Sequence, residues 1–347
     1  MRHSRHLVTL LKVAFAAGLI VWLIQSGRLE PSRVFAAARR WPLLLVIAGI
    51  IYTQILVLTW RWKLLLKTQG IRLSYRRTLN LTMIGLASTL FMPGSVGGDL
   101  VKAYYVTLDA PNKRPQAVMT IFLDRFIGLL GLLTVASAGA LWNLSAVRES
   151  KLLIALSTAA IAGVLLGVAI FAAGVLVAEK GSDTVARLSR RLPLGGVLWK
   201  CIEAARECHR QPAALATVFA VTLPLHLLAS YAFYLASVSV GYSGDAYGHF
   251  IFLVPLGLLA TTIPVPPGGI GTGQVAFVAL FAFLPGGGGS LGADACTVFQ
   301  FVAMCIYLTG LWAYVSRRRN AASAEVHEEI STRGDVQLMT TSTHTVH

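Results

Sequence analysis

Charge is what this chain has least of. Charged side chains make up only 13% of it, and the stretch from Ala246 to Ala293 contains no Asp, Glu, Lys or Arg. With 55% hydrophobic residues and a mean hydropathy of +0.67, the polar surface is too small to close a water-soluble globule. That leaves an integral membrane protein wrapped in lipid. Cysteine is also sparse: Cys201, Cys208, Cys296 and Cys305 form no Cys-x-x-Cys pair and no metal-like grouping with histidine, so they read as small apolar fillers. No cofactor or metal is expected. The chain has no Gly-x-x-x-x-Gly-Lys-Ser/Thr stretch, which argues against phosphate-loop ATP hydrolysis. The net charge of +15 is large, yet the Lys and Arg sit in loops between apolar segments. No basic region outside them is long enough to fold, so nucleic acid is excluded as a partner and anionic membrane lipids are expected instead.

Apolar runs of about 20 residues are read as full crossings of a hydrocarbon core about 30 Å thick. Six are found, at roughly Leu7 to Ile24, Trp41 to Trp60, Gln116 to Trp142, Leu152 to Ala178, Ala213 to Val240 and Ala295 to Ser316. The first resembles a signal peptide, but no small-residue cleavage site follows it, so it is read as a retained span. Two further hydrophobic regions are each cut in the middle by a glycine-rich knot, Pro93-Gly94-Ser95-Val96-Gly97-Gly98-Asp99 and Pro267-Gly268-Gly269-Ile270-Gly271-Thr272-Gly273. Half the chain length separates them. Their arms, Leu79 to Met92 with Asp99 to Thr107 and Phe250 to Ile263 with Gln274 to Leu284, are too short to cross. Each pair is therefore expected to form a re-entrant helical hairpin.

Basic residues test this topology. With a cytoplasmic amino terminus, the inner loops receive Arg61, Lys63, Lys67, Arg72, Arg76 and Arg77, then the basic residues of Lys180 to Arg210, and finally Arg317 to Arg319. The outside receives the loops around Arg148 to Lys151, Gly241 to Gly248 and Pro285 to Asp294, the last two with no Lys or Arg. One loop disagrees, because Arg28, Arg33, Arg39 and Arg40 fall outside. On this drawing the two hairpins dip in from opposite faces. The expectation is an all-α integral membrane protein of about six full transmembrane helices plus two oppositely oriented re-entrant hairpins, in one domain over 1–319. Residues 182–210 are expected to lie as an amphipathic segment on the cytoplasmic surface, and 320–347 to form a disordered cytoplasmic tail.

Matched glycine and proline breaks in two halves of a membrane protein point to a substrate site, since unwound backbone at membrane depth persists only where it is buried in protein or lines a cavity. Converging backbone N–H groups at Gly94, Gly97 and Gly98, and at Gly268, Gly269 and Gly271, suit a phosphate or carboxylate; the competing reading is tight turns and close helix packing. Charges within the apolar runs are costly and few. Asp99 and Lys102 share a helical face after the first knot, and Asp124 and Arg125 stand together in the third span. Lys102 with Asp124, or Asp99 with Arg125, would satisfy charges across two helices, as a structural ion pair or as a substrate contact. Arg61 reads as an interfacial anchor beside Trp60 and Trp62, and His226 as a hydrogen-bonded packing residue. The second hairpin offers only backbone and Gln274, so the first half must supply the charge.

The segment Pro93 to Tyr104, the Asp124-Arg125 pair and Ile263-Pro264-Val265-Pro266-Pro267-Gly268-Gly269-Ile270-Gly271 together resemble the lysylphosphatidylglycerol synthase transmembrane-region family, also called flippase-like membrane proteins. The resemblance implies a multi-pass inner-membrane protein of a bacterium or archaeon that moves, or helps move, a lipid between leaflets. Family relatives are linked to phospholipids, polyprenyl-linked sugars or hopanoids. The family's acidic and basic residues after the first knot look matched by Asp99 and Lys102, and its acidic-Arg pair by Asp124 and Arg125. Where members often carry Glu after the second knot, this chain has Gln274. Substrate contacts are thus expected at Pro93, Gly94, Gly97, Gly98, Asp99, Lys102, Asp124, Arg125, Pro267, Gly268, Gly269, Gly271 and Gln274. No catalytic residue is expected, although a membrane enzyme, or an accessory to a lipid-modifying or glycosyltransferase partner, is the rival reading.

Overall fold

With no water at the bilayer centre to bond the backbone, apolar runs must close their hydrogen bonds internally, and helices do so within one segment. The computed structural model describes residues 18, 20–91, 96–180, 210–244, 246–262 and 270–315. These residues form an all-α bundle, with no strand among them. The expected first span is described only at residues 18 and 20–24, the amphipathic segment only at Arg210, and the tail 320–347 and the knot residues Pro93, Gly94, Pro267, Gly268 and Gly269 lie outside the described residues.

The helices are α1 (Pro31–Ala37), α2 (Trp41–Thr68), α3 (Tyr75–Phe91), α4 (Val96–Asp109), α5 (Arg114–Trp142), α6 (Leu144–Arg148), α7 (Lys151–Lys180), α8 (Pro212–Ser239), α9 (Tyr247–Thr261), α10 (Thr272–Phe281) and α11 (Gly289–Leu308), the last followed by a further helical stretch to Val315. Among the described residues, five stretches are long and apolar enough to cross a membrane, centred on α2, α5, α7, α8 and α11. They coincide with five of the six expected crossings. α2 outruns its expected end at Trp60 by two turns, which carries Arg61, Lys63 and Lys67 into the helix.

For description, the end of the bundle bearing residues 143–150, 240–246 and 282–288 is the upper end. It is tied together by Asn143 Nδ2 donating to Gly248 O at 3.0 Å and Tyr242 Oη donating to Pro285 O at 3.1 Å. At the lower end, Lys113 Nζ donates to Gln69 O at 3.0 Å and Gln211 Nε2 to Thr68 O at 3.3 Å. Both feet of the α3–α4 hairpin stand at the lower end, where Arg77 grips Asp109 through two 2.7 Å hydrogen bonds. Both feet of the α9–α10 hairpin stand at the upper end, against Asn143 and Tyr242. The two hairpins therefore enter the bundle from opposite ends.

α11 joins them. Near its start, Gly292 lies so close to Phe277 O of α10 that a Cβ there would sit 2.2 Å away; in the stretch after its end, Gly310 lies equally close to Met83 O of α3. Between these contacts, Gly273 faces Gln300. Ten residues from Gln300 to Gly310 span about 15 Å, and the eight from Met83 to Phe91 rise about 12 Å toward the same level. The described arms α3 and α10 thus end near the level of the middle of α11. Around the second hairpin, Phe233 stacks on Phe277 with ring centroids 4.1 Å apart, and Phe250 and Phe281 meet edge to face at 5.5 Å.

Three of the four arginines that broke the charge pattern have local partners. Arg33 pairs with Glu30 at 2.9 Å and reaches buried Asp294 at 3.9 Å, Arg40 donates to the Val238 carbonyl, and Arg28 lies over the Trp22 ring. Arg33 and Arg40 thus tie the chain around α1 to the upper ends of α11 and α8.

Candidate functional site

Five charges lie on helices α2, α4 and α5 beside the first hairpin. Helical spacing places Asp99 and Lys102 on one face of α4, while Asp124 and Arg125, as neighbours on α5, diverge by about 100° and must find different partners. Arg125 takes Asp99: its Nε donates to Oδ2 at 2.5 Å and its Nη2 to Oδ1 at 3.1 Å, in the two-point geometry that suits a guanidinium and a carboxylate. This is the second of the two pairings foreseen. The other does not form, because Asp124 is occupied by Arg61.

Arg61 is a correction to the sequence reading. It is not an interfacial anchor but a buried residue, its side chain 4% exposed. Its Nε donates to Asp124 Oδ1 at 3.0 Å, its Nη2 to Asp124 O at 3.3 Å and its Nη1 to Thr222 Oγ1 at 2.7 Å. One guanidinium therefore joins α2, α5 and α8. Next to it, His226 Nε2 donates to Gly128 O at 3.0 Å, which makes it the packing residue expected. Hydropathy gave no signal for this role, because Arg61 with Lys63 and Lys67 reads as a membrane boundary; the helix running on to Thr68 is what carries Arg61 opposite Asp124.

With Asp99 and Asp124 both engaged, Lys102 has no ion pair or hydrogen bond among the described residues. It is only 6% exposed, and its Nζ lies 3.6 Å from the centroid of the Trp62 ring. Trp62 is held in turn by its Nε1 donating to Thr120 Oγ1 at 3.1 Å. A cation on the electron-rich face of an indole is attracted to it, and more strongly where water is excluded. Three cations (Arg61, Lys102, Arg125) and two anions (Asp99, Asp124) leave the cluster one positive charge in excess. Buried charge of that kind favours an anion.

The glycines divide by role. Gly97 and Gly98 lie inside α4, which begins at Val96, and not in a loop. A Cβ on Gly98 would stand 2.3 Å from Gly85 O and 2.3 Å from Thr89 Cγ2, so this position serves close approach of the hairpin arms. On the other side of the knot pair, Gly271 has φ of +89°, a conformation that glycine adopts without strain, immediately before α10. Its N–H donates to Gln274 Oε1 at 2.7 Å. Gln274 Nε2 then donates to Gln300 Oε1 at 2.9 Å and Thr297 Oγ1 at 3.3 Å. Gln274 thus caps the helix that starts at the second knot and anchors it to α11. Gln300 and Thr297, which the sequence reading passed over, complete that anchor.

Geometrically, the site has a rigid back (Arg61, Asp124, Thr222), an accessible front in which the Arg125 side chain is 53% exposed, and between them an ammonium with no direct ion pair among the described residues. Such an arrangement can hold a phosphate or carboxylate without any covalent step. A family model described as "Lysylphosphatidylglycerol synthase TM region" matches residues 9–310. No curated protein and no solved structure matches the chain.

Proposed function

From a chain that belongs to the Lysylphosphatidylglycerol synthase TM region family and has five stretches able to cross a bilayer, we propose a lipid translocase that passes an anionic headgroup between leaflets. The observation that carries this reading is the excess positive charge beside the first hairpin, where buried Lys102 rests on Trp62 with no carboxylate of its own. The headgroup phosphate takes the place of the missing anion. Lys102 and the exposed Arg125 bind it, while the two hairpins, entering from opposite faces of the membrane, shield it from the hydrocarbon at mid-depth. Movement is downhill or coupled to protons or to the membrane potential. No chemistry on the lipid is required, so the protein is proposed not to be an enzyme.

The experiment is reconstitution of the full chain into vesicles carrying a fluorescent phosphatidylglycerol, with leaflet exchange read by a membrane-impermeant quencher. Lys102→Ala is expected to slow exchange roughly tenfold, the factor that about 1.4 kcal/mol of lost headgroup binding produces, and Lys102→Arg to recover part of it. Unchanged exchange in Lys102→Ala, or a chemically altered lipid in the mass spectrum, overturns the reading.

Localisation to the inner membrane with both termini cytoplasmic belongs to the same proposal and has its own check. In a variant without native cysteines, Glu149→Cys at the upper end is expected to react with an impermeant maleimide in intact cells, and Arg72→Cys at the lower end only after lysis. The opposite pattern inverts the orientation.

A further inference from the structure

Along the outer side of the first hairpin runs a cleft of about 520 Å³, within the range that ligand sites occupy. Its floor is Ile84 and Ala87 of α3, both buried, and its rim includes Phe91, Leu100 and Tyr104, each more than half exposed. Leu311, three residues beyond α11, forms the far wall. The one hydroxyl among the aliphatic lining, Ser88 Oγ, is spent on Ile84 O at 2.7 Å, so the floor is effectively apolar. Toward the lower end, the Tyr105 and Tyr314 rings meet edge to face at 6.4 Å and bridge α4 to the stretch beyond α11. The cleft is therefore bounded below and runs upward to Phe91 and Leu100, the residues flanking the first knot.

We infer that this cleft holds one hydrocarbon chain of the lipid whose phosphate Lys102 and Arg125 bind, an assignment that rests on the proposed function above. Continuity argues for it. Val101 in the cleft wall and Lys102 behind it are consecutive on α4, and Gly85, between the floor residues in sequence, is the position against which the Lys102 stem packs. Asp99, bonded to Arg125, directly precedes Leu100 of the rim. A chain lying in the cleft has its polar end where the tyrosine pair is not, at the knot and beside the charged cluster. Charge and groove thus prescribe the same orientation for one molecule. Its headgroup is at Lys102 and Arg125 and one tail lies along the flank of α3 and α4, so that only the remainder of the lipid stays in the bulk bilayer.

Photolabelling tests it. The full chain in nanodiscs is exposed to phosphatidylglycerol bearing a diazirine near the end of one acyl chain, with increasing unlabelled phosphatidylglycerol as competitor, and labelled peptides are identified by mass spectrometry. Saturable labelling is expected in residues 84–105 and 311–314, and non-saturable labelling at Leu165 and Leu166 of α7, which are exposed and report ordinary surrounding lipid. Leu311→Trp on the wall and Ala87→Phe on the floor are each expected to abolish the saturable component; a variant that elutes as aggregate is set aside in favour of the other. Labelling at the cleft that stays non-saturable, or that survives both substitutions in folded protein, overturns the inference. Lys102→Ala separates the two proposals. Cleft labelling that persists in Lys102→Ala but is no longer preferential for anionic competitor retains both, whereas cleft labelling indifferent to headgroup charge in the unaltered chain removes the headgroup site and leaves the tail cleft standing.

Discussion

Asp124→Ala is expected to destabilise the folded protein by about 3–5 kcal/mol, because it leaves the Arg61 guanidinium buried without its counter-ion. The residue loses its 3.0 Å hydrogen bond and its 2.9 Å ion-pair contact with Asp124 Oδ1, while its bond to Thr222 remains and cannot neutralise it. Helices α2 and α5 then share a buried cation with nowhere to send it. The paired replacement Arg61→Met with Asp124→Leu removes both charges and keeps the volume, so it is expected to recover most of the loss. Thermal unfolding in detergent, followed by loss of monodisperse protein on size exclusion, measures all three proteins. A single substitution as stable as the unaltered chain, or a double one as unstable as the single, refutes a structural role for the pair. Lipid exchange by the double variant also separates it from Lys102: it should persist, since the anion-binding front is untouched.

Gly98→Val is expected to abolish lipid exchange outright. Even the first carbon of a side chain at position 98 would stand 2.3 Å from Gly85 O, and that obstacle is backbone that cannot rotate away. The hairpin arms must separate, at a cost in the range of about 1–3 kcal/mol or more for overpacking, and their separation carries Asp99 and Lys102 away from Arg125 and Trp62. Gly49→Ala in α2 is the control, because nothing lies within 4 Å of the carbon it adds. There the gain in helix propensity over glycine, about 0.8–1 kcal/mol, is expected to appear as a small rise in stability. Exchange at unaltered rate in Gly98→Val would mean that arm contact does not govern the site.

Much of the fold was legible because lipid imposes simple rules. A run of 20 apolar residues has few ways to satisfy its backbone in a membrane, so the regions of α2, α5, α7, α8 and α11 could be read from hydropathy alone. The short arms of α3, α4, α9 and α10 were equally visible as runs cut by Gly and Pro. The extent of α2 was less so, because Arg61, Lys63 and Lys67 resemble a membrane boundary. Hydropathy counts a paired arginine as it counts a free one.

Residue identities alone established the membrane class, the two interrupted segments, and the lack of any charged side chain around the second knot, from Ala246 to Ala293. They also suggested two pairings among Asp99, Lys102, Asp124 and Arg125, of which Asp99 with Arg125 forms. Which pairing forms was decided by tertiary structure, through a residue outside that set: Arg61 approaches from α2 and takes Asp124, Arg125 closes on Asp99, and Lys102 is left facing Trp62. The physical reason is that an ion pair depends on distances of a few ångströms between helices. Spacing along one helix sets the face on which a side chain stands, but only the packing of α2, α4, α5 and α8 sets what stands opposite it.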